Sequence, residues 1–373
     1  MTREEVYKEA LTAGAMSSYL ILELITGYGK SKLSIDLVNN LYKEEELPNI
    51  LILVAKSVHK QTWIDEIEKW GGIKANKITI ECYESLHKYA NTKIDIVIAD
   101  EMQHLSDLRL DYLSTIEIGR FIGLSATIKR EMKDYFIIRH KARIVTCNLK
   151  DAIEDDILPE PTVYLIPMKL DAKECKYKIN KFGNTIITTQ RGYYADLSSL
   201  VEFYKRKATT SGNVKLKNLW LSTAGKRLKW LSTQKEAFVI SLLEKFKNYK
   251  TLTFCSSIEQ SENLGKHNIT SKNKKSTQYL DMFNANKIKH ITACNILNEG
   301  VNLVNCRIGI FCNLNSSEII VRQRIGRLLR HKKPINIVPY YINTREEELV
   351  QKMVLEYNPE SVKTIDNINQ IVL

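Results

Sequence analysis

The stretch Leu20-Ile-Leu-Glu-Leu-Ile25-Thr26-Gly27-Tyr28-Gly29-Lys30-Ser31 decides the fold. An apolar run ends in a glycine-containing turn. Lys30-Ser31 then opens a helical pattern in which Leu33, Leu37 and Leu41 are spaced by four. Strand, loop, helix is the context that a phosphate-binding loop requires. Gly27 and Gly29 lack Cβ, so backbone N–H groups can turn inward against a polyphosphate. Lys30 is placed to reach terminal phosphates and Ser31 to set its hydroxyl on Mg2+. The helix that follows adds its positive N-terminal dipole. Leu24 stands where the full G-x-x-x-x-G-K-[ST] pattern has its first glycine, so an ordinary glycine turn is the competing reading of this stretch taken alone.

Working outward, strand and helix patterns alternate, which argues a parallel sheet covered by helices. Asn49–Val54 is a buried-type strand that leads into Ala55-Lys56-Ser57-Val58-His59 and a helix through Trp63, Ile67 and Trp70. Lys77–Glu81 is another strand, and its polar continuation Tyr83–Lys88 reads as a loop. Ile94–Ala99 then delivers Asp100-Glu101-Met102-Gln103-His104 at a strand's C-terminal end, the edge at which open α/β sheets bind ligands. Paired acids suit phosphoryl chemistry: Asp100 can hold Mg2+ through water, and Glu101 can orient or deprotonate the attacking water. Arg120–Leu124 repeats the design, ending in Ser125-Ala126-Thr127.

The first lobe closes near residue 150, giving domains 1–150 and 151–373, with Asp155–Pro161 as a linker stiffened by two prolines. Strands at Thr162–Ile166, Thr251–Cys255, Ile288–Thr292, Cys306–Phe311 and Ile335–Val338 predict a second α/β lobe without a phosphate loop of its own. Thr233-x-x-Glu236 reads as a capping box before a helix faced by Phe238, Leu242, Leu243 and Phe246. Further on, Ser317–Arg330 sorts Val321, Ile325, Leu328 and Leu329 to one helical side, and Gln323, Arg324, Arg327 and Arg330 to the other. Arginine's planar fork of donors suits developing phosphoryl charge.

The length of 373 residues accommodates two domains, and 44% hydrophobic with 26% charged residues reads as soluble and globular. Seven scattered cysteines without C-x-x-C argue against a disulfide framework and a zinc site, and point to a reducing cytoplasm. The N-terminus shows no signal peptide, and no run is long enough to span a membrane. The net charge of +12 is concentrated: residues 169–250 hold 18 Lys or Arg against 6 Asp or Glu, so a polyanionic partner is expected there.

Together these stretches resemble the ordered motifs of helicase superfamily two, the group of the DEAD- and DEAH-box proteins. Thr26–Ser31 resembles motif I, Lys56–Trp70 motif Ia, Asp100–Gln103 motif II, and Ser125–Thr127 motif III. Gly300 and its neighbours resemble motif V, and Gln323–Arg330 motif VI. Within the group the chain looks most like compact phage helicases related to restriction-type translocases. The resemblance implies two RecA-like parallel-sheet lobes with ATP and Mg2+ in the cleft between them, plus a basic, mainly helical insertion in the second lobe. It implies ATP contacts by Thr26, Gly27, Tyr28, Gly29, Lys30, Ser31, Gly300 and Gln323. Mg2+ falls to Ser31 and Asp100, and catalysis to Glu101, Arg327 and Arg330. Gln103, Ser125 and Thr127 are the coupling residues. Lys56, His59 and Thr292, with Lys205, Arg206 and Lys207 of the basic segment, are the candidate nucleic-acid contacts.

Three departures stand out. The first glutamine is Gln61, so the adenine-reading Q motif is absent and base preference stays open. Gln103 replaces the final Asp or His of motif II, and Asn302 stands where many relatives carry Asp. The implied activity is an ATP-driven helicase or translocase, on DNA in preference to RNA, in phage or bacterial replication, recombination or repair. The alternatives are an ATP-gated nucleic-acid clamp, or the motor of a nuclease or defence complex that supplies the cleavage through a partner.

Overall fold

The computed structural model describes the chain except residues 1, 43–45, 182, 295–302, 315–327, 329–330 and 356. The candidate residues Gly300, Asn302, Gln323, Arg324, Arg327 and Arg330 therefore lie outside the described residues. The chain divides into two compact units, one built mainly from Met1–Pro159 and the other mainly from the residues after it.

The first unit contains strands β1 (Tyr19–Leu24), β2 (Asn49–Val54), β3 (Lys77–Cys82), β4 (Lys93–Asp100), β5 (Glu117–Ser125) and β6 (Arg143–Cys147). Its helices are α1 (Arg3–Met16), α2 (Lys30–Leu41), α3 (Val58–Lys69), α4 (Asp107–Ser114), α5 (Arg130–His140) and α6 (Leu149–Glu154). The sheet runs β3-β2-β4-β5-β1-β6, and every pair is parallel. Strands covered on both faces need continuous apolar runs, which β2 and the end of β4 supply. Ile21, Leu51, Val97 and Phe121 meet in one core, with Phe121 stacked on Phe136 of α5. This order sets β4, β5 and β1 side by side, with Glu23 opposite Ser125 and Leu124 opposite Asp100. The glycine loop, the acids and Ser125 thus share one sheet edge.

The second unit has β7 (Thr162–Met168), β8 (Cys175–Lys181), β9 (Asn184–Thr189), α7 (Gln190–Ser211), α8 (Val214–Thr233), α9 (Glu236–Lys245), β10 (Thr251–Phe254), α10 (Ile258–Leu264), β11 (Asn268–Ile269), α11 (Ser276–Asn284), β12 (His290–Ala293), β13 (Ile308–Phe311), β14 (Ile335–Tyr341), a helix at Arg345–Val354, and β15 (Val362–Thr364). Its main sheet is parallel, in the order β11-β12-β10-β13-β14-β7-β15. An antiparallel β8–β9 hairpin and the long α7–α8 pair are inserted between β7 and α9. The expected pair of parallel α/β lobes with a basic, mainly helical insertion is what the chain forms.

Helix α6 groups with the first unit, and its Leu149 and Ala152 are fully buried. Two local expectations change. Tyr83–Tyr89 is a 3-10 helix, not a loop, because Tyr83 and Leu86 recur every three residues and both are buried. Thr233 does not cap α9. Its hydroxyl donates to the Lys229 carbonyl (2.9 Å) within α8, and the residue ahead of α9 is Lys235. Lys235 is wholly buried, with its ammonium 2.6 Å from Glu346 and 3.2 Å from the Pro339 carbonyl. It belongs to the basic segment by position, but it ties the base of the insertion to the core and offers nothing to a phosphate.

Candidate nucleotide site and nucleic-acid surface

β1 runs into a loop whose Gly27 (φ 95°) and Gly29 (φ 102°) occupy the left-handed region, where a Cβ is penalised. Gly29 precedes α2 and offers no side-chain cap, so the first N–H groups of that helix stay open to a ligand anion. The Lys30 ammonium donates to the Leu24 carbonyl across the loop (2.9 Å). Thr26 is buried, and its hydroxyl has no hydrogen-bond partner among the described residues. Helix α1 clasps the loop from outside: Arg3 Nη2 donates to the Tyr28 carbonyl (2.5 Å), and the Tyr28 hydroxyl donates to the Arg3 carbonyl (3.0 Å). A capping box between Thr2 and Glu5 starts α1 where Arg3 can make this contact.

At the end of β4, Asp100 is held at two points. The Trp63 indole N–H donates to Asp100 Oδ2, and the Tyr83 hydroxyl donates to the Asp100 carbonyl, each at 2.9 Å. Burial pushes the Asp100 carboxyl up to about 6, and the neighbouring Glu101 charge adds to this. The Trp63 bond and the Lys30 charge act the other way. Glu101 lies in the left-handed region (φ 52°, ψ 55°), an uncommon setting for a residue with a Cβ and one found at functional sites. Gln103 Nε2 donates to Glu101 Oε2 (2.7 Å), and the buried Ser125 hydroxyl is 2.6 Å from Gln103 Oε1. The Thr127 N–H donates to Ser125 Oγ (3.2 Å). Gln103, the residue that departs from the motif II pattern, therefore joins Glu101 to Ser125 and Thr127 in one hydrogen-bonded chain.

Loop and acids open on one cavity of about 960 Å³, walled by Thr26–Leu33, Asp100 and Glu101, by Arg3 and Tyr7 of α1, and by the α3 side chains His59 and Trp63 with Trp70 just beyond. The donor set fits a nucleoside triphosphate with Mg2+: an orphaned buried hydroxyl, an uncapped helix start, an ammonium and two carboxylates converge there. Trp63, Tyr83 and Arg3 were missed by sequence reasoning. The one available signal was that a buried Trp or Tyr needs a partner for its polar atom.

The nucleic-acid candidates separate. Lys56 is exposed at the turn after β2. His59 is buried in the wall of the nucleotide cavity, because its position on α3 faces inward one turn before Trp63. Thr292 is fully buried in β12, where its hydroxyl pairs with that of Ser261 (2.8 Å), so it has no surface to offer. Lys205, Arg206 and Lys207 are exposed near the end of α7, where Gly212 (φ 63°) and the Asn213 cap turn the chain into α8. Phe203 is 49% exposed, with the Lys207 ammonium 4.6 Å from its ring centre. Trp230 instead packs against Tyr193 and Tyr177 at the insertion's base. All seven cysteines are free thiols, and among the described residues no cluster of three or more His, Cys, Asp and Glu is arranged for a metal. No described helix is long and apolar enough to cross a membrane.

Residues 234–332 match the helicase conserved C-terminal domain. No curated protein matches the sequence. Among solved structures, the chain is similar to S. cerevisiae Dbp5 bound to RNA and ADP BeF3, with TM-score 0.59 and 12% identity, over 97% of this chain and 89% of that one. It is similar to the ATP-dependent Type ISP restriction-modification enzyme LlaBIII bound to DNA, with TM-score 0.60 and 12% identity, over 98% of this chain but 31% of that one. The Pyrococcus furiosus Hef helicase domain gives TM-score 0.51 at 12% identity, over 94% and 97%. At such identity the likeness is one of fold.

Proposed function

We propose that this chain is a DEAD/DEAH-like superfamily-two helicase, a nucleic-acid-stimulated ATPase that translocates on or unwinds DNA; its fold and its match to the helicase conserved C-terminal domain support the reading. The observation that carries the proposal is the single sheet edge joining an open phosphate loop, Asp100-Glu101 and the Gln103–Ser125 link.

On ATP binding, Lys30 exchanges the Leu24 carbonyl for phosphate oxygens, and the orphaned Thr26 hydroxyl gains a partner. The open N–H groups of α2 meet the polyphosphate. Ser31 and Asp100 would hold Mg2+, which would neutralise phosphate charge. Glu101 orients the water for in-line attack. Any movement of Glu101 between nucleotide states is felt by Gln103, and through it by Ser125 and Thr127. That gives hydrolysis a mechanical output within the first unit. In this proposal Arg327 and Arg330, with Gly300 and Gln323, complete the site, and the two arginines meet the γ-phosphate charge. Exposed Lys56 and the Lys205-Arg206-Lys207 cluster neutralise backbone phosphates. The DNA preference, and the setting in phage or bacterial replication, recombination or repair, rest on the motif resemblance. Turnover assays with single-stranded DNA, duplex, branched DNA and RNA, followed by strand displacement on the most stimulating substrate, test the reading. Stimulation by RNA alone overturns the DNA assignment, and stimulation without displacement or movement turns the motor into a clamp.

A further inference from the structure

We propose that Trp63 is a positioning residue of the nucleotide site: its indole N–H fixes the rotation of the Asp100 carboxylate and so sets the affinity of the site for Mg2+. The inference rests on the reading of Asp100 as a Mg2+ residue.

Trp63 is 2% exposed, in the middle of α3, on the wall of the cavity. An indole nitrogen only donates, and one buried without an acceptor carries the full cost of lost hydration. The acceptor here is Oδ2 of Asp100, 2.9 Å away. Tyr83 separately holds the main-chain carbonyl of the same residue at 2.9 Å. Asp100 is thus pinned through its backbone by one ring and through its carboxylate by another. Rotation of the carboxylate about χ2 would orphan the indole N–H, so Trp63 sets the orientation of the carboxylate of a residue that lines the cavity. The helix that carries Trp63 is itself held, with Lys60 of α3 paired to Glu81 of β3 at 2.8 Å. Side chains that orient a metal-binding group from behind typically control affinity by ~10- to 100-fold. Packing alone does not explain the contact, because a phenylalanine fills most of the same space without the donor.

The test is the Mg2+ dependence of nucleotide binding, followed with a fluorescent ATP analogue on the full chain, for wild type, Trp63→Phe, Asp100→Asn and the double variant. Trp63→Phe is expected to need ~10- to 100-fold more Mg2+ for half-saturation, with metal-free nucleotide binding unchanged. In the Asp100→Asn background, Trp63→Phe is expected to add no further shift, because the group it positions is already altered. That arm keeps the inference testable if Trp63→Phe also lowers the melting temperature, since a purely structural loss persists in both backgrounds. Equal Mg2+ half-saturation for wild type and Trp63→Phe overturns the inference and leaves the ATPase reading standing. A wild-type chain without Mg2+-dependent nucleotide binding overturns that reading, and this inference with it.

Discussion

Replacing Gln103 by Met keeps the length of the side chain and removes both of its polar contacts. One is the bond to Glu101 Oε2 at 2.7 Å, a bond to a carboxylate, and such bonds contribute about 1.5–3 kcal/mol. The other is the bond from Ser125, whose hydroxyl has the Thr127 carbonyl 2.9 Å away as an alternative acceptor. The stability loss on the Ser125 side is therefore small, about 1 kcal/mol or less. The Glu101 side carries the catalytic effect. Glu101 sits at φ 52°, where the backbone is held against its preference. Without Gln103 its carboxylate spends less time aimed at the attacking water. If the full bond energy is expressed in the transition state, kcat falls about 10- to 150-fold. KM for ATP stays near wild type, because Gln103 is not part of the cavity wall. The assay is steady-state ATP turnover with saturating nucleic acid, beside a thermal melt. A folded Gln103→Met protein with kcat within twofold of wild type refutes the argument that this link orients Glu101.

Arg327→Ala and Arg330→Ala are each expected to lower kcat by ~10³-fold or more while ATP binding changes little, because an arginine finger acts on charge that develops in the transition state. Unchanged turnover in both moves the catalytic arginine elsewhere. Replacing Lys205, Arg206 and Lys207 together by Ala should weaken nucleic-acid binding uniformly across sequences and reduce the slope of log affinity against log salt by about one unit per lost phosphate contact. Basal ATP turnover should stay the same, and an unaltered salt slope points to the Lys56 side instead. His290, bonded to Thr253 Oγ1 at 3.1 Å, has its pKa lowered to about 4, chiefly by burial and further by His267. The unfolded chain takes up that proton near the ordinary value of about 6.5 while the folded chain does not. Stability is therefore expected to fall as pH drops from about 6.5 toward about 4. His290→Gln should flatten that part of a denaturation-midpoint profile, and an identical profile shows that other groups set the acid sensitivity.

The parallel strands were legible because burial on both faces demands runs such as Ile50–Val54 and Ile96–Ala99, and the glycine loop because only glycine accepts its backbone angles cheaply. The errors have physical causes too. Thr233 and Glu236 satisfy the spacing of a capping box, but nothing local shows that α8 runs through Thr233 and bonds its hydroxyl internally. Tyr83–Lys88 looked polar because three of its six side chains are charged or imidazole, while Tyr83 and Leu86 fill the core at a 3-10 spacing. His59 and Thr292 carry polar atoms suited to a nucleic acid, and their burial follows from packing that spacing does not reveal. The Trp63–Asp100 bond joins residues 37 apart in sequence, and Lys235 and Glu346 meet across 111. Such pairs are set by strand order, which the motifs imply only in part.

The central claim is that the Thr26–Ser31 loop with Asp100-Glu101 turns over ATP under the control of nucleic acid. The most direct measurement is ATP turnover by wild type and Lys30→Ala as single-stranded DNA is titrated in, with the melting temperature of each protein recorded. Lys30 is at the head of α2 and its ammonium donates to the Leu24 carbonyl, a charge-assisted bond of a kind that contributes about 1.5–3 kcal/mol. DNA-stimulated turnover is expected in wild type, and its loss in a Lys30→Ala protein that still unfolds cooperatively. Equal turnover in the two proteins, or a wild type that no nucleic acid stimulates, contradicts the claim.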